Sequence, residues 1–129
     1  EKAFGVVSLS STYYAKGTAP SNPVGDGDCT FTITNDGDAT INITIKATNF
    51  SGGVGWTLGA PAENVARITA YYSGQNPASG VVLTTSDQPF YSGLTSTSTI
   101  KWDFKFETPT SVTDGVQKTS TITLTAAAA

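Results

Sequence analysis

Apolar and polar side chains alternate one by one along much of this chain. The sharpest example runs from Lys101 to Glu107, where three aromatic residues separate four charged ones. Successive side chains of a strand point to opposite faces, so a shift of one residue would expose three rings and bury four charges. The pattern predicts a strand of strongly specified register, with Trp102, Phe104 and Phe106 in the core and the charged residues facing solvent.

The same period of two recurs from the beginning of the chain to its end. Ile41, Ile43, Ile45 and Ala47 fall on one side of a segment whose other side is polar. Further strands are expected over Phe4–Ser10, Asp28–Thr34, Val54–Leu58, Val65–Tyr72, Val81–Thr85 and Thr119–Thr125, the last with Ile122 and Leu124 facing inward. Short strands separated by turn residues are typical of a sandwich. We therefore predict a single all-β domain over residues 1–129, an antiparallel sandwich of about eight strands.

Two segments between the predicted strands are rich in turn-forming residues. Asn35 to Asp38 is expected to make a tight hairpin with Gly37 at positive φ, because Asn, Asp and Gly tolerate that backbone conformation best. Lys16 to Asp28 holds three Gly and two Pro with almost no apolar side chains, so residues 16–28 are expected to form a flexible connection. Such a connection would allow residues 1–15 to act as an exchangeable N-terminal strand.

Composition narrows the classes of function. Charged residues make up 13% of the chain and the hydrophobic class 38%, so neutral residues supply most of its polar character. Among them are 22 Thr, whose β-branched side chain favours strands. The chain has no His, which removes the commonest general base and the commonest metal ligand. We therefore expect that the protein is not an enzyme.

Charge and hydropathy also argue against two kinds of partner. The net charge is −3 and the seven basic residues are scattered singly, so no cluster could neutralise a row of phosphates. No apolar run approaches the ~20 residues of a membrane-spanning helix. We expect neither nucleic-acid binding nor a membrane span. The absence of Met favours the mature end of an exported protein.

Cys29 is the single cysteine, so an internal disulfide is excluded. The simplest expectation is a small buried hydrophobic side chain on an inward strand position. A disulfide between two copies of the chain is the alternative.

Four aspartates suggest one candidate metal. Asp26, Asp28, Asp36 and Asp38 flank two Asp-Gly turns, and carboxylate oxygens are the ligands that calcium prefers. Calcium could bind if the two turns lie at one end of the sandwich. The alternative is that Asp-Gly serves only as turn chemistry, since the spacing lacks that of a dedicated calcium loop.

Two further groups of residues are candidate sites on the surface. Asn42 and Asn49 begin Asn-Ile-Thr and Asn-Phe-Ser triplets, which are glycosylation acceptors if the source modifies exported protein; chance occurrence in a Thr-rich chain is the alternative. Four aromatic residues were selected as candidates for stacking on a sugar or on a partner: Trp56, Tyr71, Tyr72 and Tyr91. Scattered exposed rings are common on proteins, so this pattern favours no single ligand.

Several segments resemble a known class of domain. Phe4-Gly5-Val6-Val7, followed by the stretch from Cys29 to Asp38 and the Ile-rich strand, is similar to the immunoglobulin-like domains of bacterial and archaeal surface proteins. The closing stretches, 102–109 and 114–125, are similar to the end of such modules in exported proteins. The resemblance implies an immunoglobulin-like sandwich and an extracellular setting. Such domains serve as stalks, adhesins, filament subunits and virion decorations, and the resemblance brings no catalytic residues.

The leading functional hypothesis is a structural subunit of an extracellular assembly, such as a filament, a pilus-like fibre or a surface layer. The partner would be another copy of the chain, which would receive the apolar segment around Phe4, Val6, Val7 and Leu9 as an added strand. Alternatively, this segment folds back as the first strand of its own domain. Two other functions remain open: a carbohydrate- or surface-binding adhesion module, and a virion decoration protein.

Overall fold

The regular secondary structure consists of β-strands and two 3-10 turns, without an α-helix, as the alternation of side chains predicts. The structure, a computed structural model, describes all residues from Glu1 to Ala129. Its nine strands are β1 (Thr12–Tyr14), β2 (Phe31–Thr34), β3 (Ile41–Ala47), β4 (Thr57–Leu58), β5 (Val65–Tyr72), β6 (Val81–Val82), β7 (Gln88–Leu94), β8 (Thr99–Glu107) and β9 (Ile122–Ala128). Two single-turn 3-10 helices cover Asp26–Asp28 and Pro77–Ser79. The predicted all-β sandwich is confirmed, and no helix is long and apolar enough to cross a bilayer.

The larger of the two sheets has six strands arranged around β8. One edge of β8 pairs with β5, in register from Arg67 opposite Glu107 to Tyr72 opposite Trp102. The other edge pairs with β1 and then with β2. Strands β4 and β6 lie on the far side of β5, and β4 is the one strand that runs parallel to its neighbour. Strand β8 is therefore covered along both of its edges.

The smaller sheet has the order β7-β3-β9. Strand β3 pairs with β9 without interruption, from Ile41 opposite Ala128 to Ala47 opposite Ile122. Its pairing with β7 contains register shifts on both sides of Ile43. These irregularities confine the flat, regular part of the sheet to β3 and β9.

The segment from Asn35 to Asp38 does not form the predicted hairpin. Strand β2 belongs to the large sheet and β3 to the small one, so this segment carries the chain from one sheet to the other. Gly37 has no positive φ. The side chain of Asn35 is buried and donates from Nδ2 to the carbonyls of Ala39 and Leu94, at 2.8 and 2.9 Å. Buried hydrogen bonds, rather than a tight turn, therefore shape this crossing.

The core lies between the sheets and is built by the residues that the alternation selected. Its main cluster contains Ala15, Ile43, Ile45, Ala47, Ile68, Ala70, Leu83, Phe90, Leu94, Trp102 and Phe104. Phe106 joins Trp56 and Ala66 in a second cluster at one end. Full burial of one such large apolar side chain stabilises the fold by about 1.5–3 kcal/mol. The inward positions predicted on β3 and β8 are buried except Ile41, which is half-buried at the start of β3, and this confirms the register of these two strands.

The outer face of β8 differs from the prediction at Asp103. Its exposed fraction is 0%, although its position was assigned to the solvent-facing side of the strand. Strands β1 and β2 lie end to end along β8, and the chain between them, residues 15–30, leaves this edge opposite Asp103. The Asp103 carboxylate accepts the backbone N–H of Lys16 at 3.1 Å and that of Thr30 at 3.2 Å. The carboxylate therefore bridges the break in the edge strand.

The connection over residues 16–28 packs against the large sheet. Val24 is 2% exposed and lies with Cys29 and Tyr71 in a small cluster of its own. The Asp28 carboxylate accepts hydrogen bonds from the hydroxyl and N–H of Ser21 and from the N–H of Gly25, and the Ser21 hydroxyl contributes most to the lowered pKa of Asp28. These contacts give the predicted flexible connection a defined place on the outer face of the large sheet.

Several predicted strands differ in extent from the structure. Residues 4–10 form no strand, and Val54–Leu58 and Val81–Thr85 each shorten to two residues. The alternation also missed β1 and β7. In β7, Pro89 and Gly93 interrupt the pattern, and both residues are typical of the irregular edge strand that the structure contains.

Asp103→Ala should destabilise the domain by about 2–3 kcal/mol, because it leaves the N–H groups of Lys16 and Thr30 without their acceptor. Urea unfolding followed by tryptophan fluorescence measures the change. Lys101→Ala, on the exposed part of the same strand face, is the matched control and should change stability little. Equal effects of the two substitutions would contradict a bridging role for Asp103.

Candidate functional site

One sheet edge is left without protection. Strand β9 pairs with β3 alone, so its second edge presents unpaired backbone groups over the seven residues Ile122–Ala128. The strand contains no charged residue, no Pro and no bulge. Proteins usually protect an edge strand with these devices, since a flat, uncharged edge is a template for pairing with another chain. Strand β9 therefore has the features of a pairing surface.

The other edges are short or irregular. Strand β7 carries Pro89 and an irregular register with β3. Strands β4 and β6 each contain two residues, and β1 and β2 are separated by residues 15–30. None of them offers an uninterrupted edge of the length of β9.

Strand β9 lies on the same side of the sandwich as β1 and β2. The chain after β6 passes directly into the small sheet, since Leu83 donates to the carbonyl of Ile68 in the large sheet and Ala47 donates to that of Thr84. This link places β7 over β5 and β6, and with β3 in the middle of its sheet β9 must lie over β1 and β2. The open edge of β9 thus borders the mouth between the sheets.

Apolar side chains line this mouth and are incompletely covered. Phe31 and Ile33 of β2, together with Ile122 and Leu124 of β9, are half-buried and pack against the main core. Ala126, which pairs with the buried Ile43 and so has the inward orientation, is exposed. We call these five residues the acceptor margin. An added strand along β9 would cover them.

The segment over residues 1–11 lies beside this mouth without joining a sheet. Phe4 is half-buried, and its ring is 5.5 Å from that of Phe106 in a stacked arrangement. Val7 is half-buried, whereas Val6 is fully exposed and Leu9 is 46% exposed. No hydrogen bond joins residues 1–7 to the rest of the protein. Of the four residues predicted to form a polymerisation strand, Phe4 and Val7 are half-buried, and Val6 and Leu9 are exposed.

The four aromatic residues selected for ligand stacking do not form one surface. Trp56 is 8% exposed and packs against Phe50 and Phe106, with the Lys118 ammonium 5.8 Å from the centre of its ring. Tyr71 is 1% exposed. Burial of both rings leaves little of their surface for a ligand, so the predicted stacking roles of Trp56 and Tyr71 gain no support from their positions.

The remaining pair lies together on another part of the surface. Tyr72 and Tyr91 are half-buried, and their rings meet edge to face at 4.9 Å. Tyr72 also packs edge to face on Phe90 at 5.7 Å. The two rings use much of their area on each other and on the core, and stacking on a ligand stays a prediction for this pair.

The aspartates considered for calcium have separate surroundings. Asp26 accepts a hydrogen bond from the Ser73 hydroxyl, and Asp28 holds the turn described above. Asp36 and Asp38 are exposed in the crossing between the sheets. No three His, Cys, Asp or Glu side chains come together in a geometry that could hold a metal ion. Calcium binding stays a prediction from the sequence.

Both candidate glycosylation residues are exposed. The Oδ1 atom of Asn42 accepts the N–H of Gly93 at 2.9 Å, and that of Asn49 accepts the N–H of Leu58 at 3.1 Å. These contacts leave Nδ2, the atom that a glycan would modify, at the surface in each case. Modification of either residue stays a prediction.

Ala126, of the acceptor margin, and Ala128 are residues of β9 that sequence reasoning missed. The predicted strand stopped at Thr125, whereas β9 continues to Ala128. A run of Ala carries no alternation, so period alone does not show which of these residues face the core. The sequence signal that indicates an unprotected edge strand is the absence of charged residues and Pro from residues 122–128.

Comparisons with protein-family models, with curated proteins and with solved structures give no match for this chain.

Cys29 is not placed to link two copies of the chain. Its thiol is free and 8% exposed, and burial raises its pKa from 9.0 to about 11, with the Asp103 carboxylate adding to the effect. The side chain is buried as predicted, but Cys29 does not occupy an inward strand position: it precedes β2 and packs with Val24 and Tyr71.

The raised pKa of Cys29 predicts a loss of stability in alkaline solution. The folded protein holds the thiol proton more tightly than the unfolded chain, so this stabilisation is complete below pH 9 and declines as the pH rises toward 11. Urea unfolding between pH 8 and 11 should show a decline that Cys29→Ala reduces. Parallel curves for the two proteins would contradict the assignment to this thiol.

Proposed function

We propose that this protein is a structural subunit of an extracellular assembly, in which the apolar segment around residues 3–9 of one copy pairs with the open edge of β9 in another. The single observation that carries the proposal is the uninterrupted, uncharged edge of β9 beside the acceptor margin. A β-strand is the partner that fits such an edge, because it satisfies backbone groups and covers apolar side chains together.

The chemistry of the donor segment supports this pairing. Either face of an extended segment offers two apolar side chains, Phe4 and Val6 on one and Val7 and Leu9 on the other. Each register can therefore direct apolar groups at the acceptor margin. The backbone of residues 1–7 makes no hydrogen bond within its own chain, so pairing would satisfy groups that now face solvent.

The stability of this pairing depends on opposing contributions of similar size. Each added backbone hydrogen bond contributes about 0.5–1.5 kcal/mol net, and a strand of seven residues makes several of them. Burial of an exposed Val or Leu side chain adds about 1.5–3 kcal/mol. Ordering the donor segment costs roughly 1–2 kcal/mol per residue, so the apolar contacts determine whether the pairing is favourable.

An extracellular setting fits a chain with few charges and abundant Thr. This contact between copies is compatible with a filament, a pilus-like fibre, a surface layer or a coat added to a virion. The carbohydrate-binding alternative loses support, because two of its four aromatic residues are buried.

Ala126→Lys tests the acceptor. Ala126 is exposed in the single chain but faces inward, so a lysine there should leave the fold intact and place a charge under any added strand. We expect analytical ultracentrifugation and electron microscopy to show polymers of the wild-type protein and monomers of the variant. Thr125→Lys, one residue away on the outer face, is the matched control and should still assemble. Equal assembly of the two variants would refute pairing at β9.

Deletion of residues 1–7 tests the donor. The truncated chain should fold, since these residues make no backbone hydrogen bond, and it should stay monomeric because it can only accept a strand. A synthetic peptide of residues 1–9 should bind the truncated chain, as measured by fluorescence anisotropy, and should not bind the truncated chain that also carries Ala126→Lys. Polymers formed by the truncated chain alone would exclude this segment as the donor.

A further inference from the structure

We propose that residues 1–11 are held in a closed form against β1 and β8 of their own chain, with Phe4 as the anchor and Ser10 as the hinge that releases the segment. The inference rests on the proposed function and adds a control step to it. A single copy would be held in a closed form, and extension of the backbone at Ser10 would free the segment for a neighbouring copy.

Phe4 is the anchor of the closed form. Besides stacking on Phe106, its ring meets Phe104 edge to face at 6.0 Å and Tyr13 edge to face at 6.2 Å. Aromatic contacts of this kind contribute beyond the area that they bury. Since Phe104 and Phe106 are inward residues of β8, the Phe4 ring closes the mouth between the sheets on the side where β9 is open.

A turn at Leu9 and Ser10 folds the segment back. The N–H of Ser10 donates to the carbonyl of Pro109 at 3.0 Å, and the Thr108 hydroxyl donates to the carbonyl of Ser8 at 2.7 Å. The N–H of Ser8 donates to the Tyr13 hydroxyl at 2.8 Å. The segment is therefore fixed at residues 8–11 and again at Phe4, and the residues between these two points make no hydrogen bond.

Ser10 carries strain in this turn. Its φ is +50°, in the left-handed region that residues other than Gly seldom adopt. A β-strand requires negative φ, so extension of the segment would relieve the strain at Ser10 while removing Phe4 from the mouth. In the closed form the aromatic contacts of Phe4 are stabilising and the backbone conformation of Ser10 is destabilising. An open strand edge on a neighbouring copy would therefore shift the equilibrium toward the extended form.

Substitutions at Ser10 shift this balance in opposite directions. Ser10→Gly accepts positive φ without strain and should slow assembly roughly fivefold, while Ser10→Val disfavours positive φ strongly and should speed it. Light scattering after dilution from a dissociating condition gives the rates. Ser8→Gly, at a serine of the same segment without positive φ, controls for added chain entropy and should not slow assembly. Equal rates for Ser10→Gly and Ser10→Val would overturn the hinge.

A second measurement does not depend on assembly. In the Ala126→Lys background, nuclear Overhauser effects between the Phe4 and Phe106 rings report the closed form directly. They should persist in Ser10→Gly and weaken in Ser10→Val, and equal intensities in the two would again overturn the hinge. Failure of the proposed function would appear differently, as equal assembly of Ala126→Lys and Thr125→Lys.

Discussion

Strand β8 makes contacts on both edges and on both faces, and its register is therefore the constraint on which the other elements depend. Trp102, Phe104 and Phe106 face the core. Asp103, which lies between Trp102 and Phe104 in the sequence, is buried on the opposite face of the strand. A shift of one residue would place Asp103 in the core and three rings under the loop of residues 15–30. The energetic cost of that exchange is large compared with the marginal stability of a domain of this size.

The edge of β8 and the outer edge of β9 differ in how their backbone groups are covered. Along β8 the covering strand is broken into β1 and β2, and a carboxylate replaces the missing backbone partner. Along the outer edge of β9 no strand or side chain pairs with the backbone, although the register between β9 and β3 is regular over the whole strand. Three of the four sheet edges are protected because they are short, contain Pro or are interrupted, whereas the edge of β9 is regular. This asymmetry favours directional contacts between copies.

The elements that sequence reasoning predicted are those in which one face is buried along the whole strand. Strands β3, β5 and β8 show an unbroken apolar period or an unbroken apolar run, and their bounds agree closely with the structure. Strand β7 was missed because Pro89 and Gly93 break the period. The burial of Asp103 could not be predicted, since it depends on a loop that returns from 73 to 87 positions away in the sequence.

The candidate site was predicted in part. The apolar segment around Phe4 was recognised, but its strand conformation was wrong, because a short apolar period does not show whether a partner edge lies within reach. The open edge itself depends on the order of strands, and the order is a long-range property that neither Ala126 nor its neighbours reveal. The apolar composition of the N-terminal segment was thus easier to recognise from the sequence than the open edge of β9.

The interruption between β1 and β2 has one more consequence. Residues 15–30 leave and rejoin the same strand edge at Asp103, so their two ends are held close together on the large sheet, whereas β9 belongs to the small sheet. The cost of closing a loop between fixed ends grows only slowly with its length. Foreign peptides inserted between these two ends should therefore be displayed on the outer face of the large sheet without altering the strand edges of the small one.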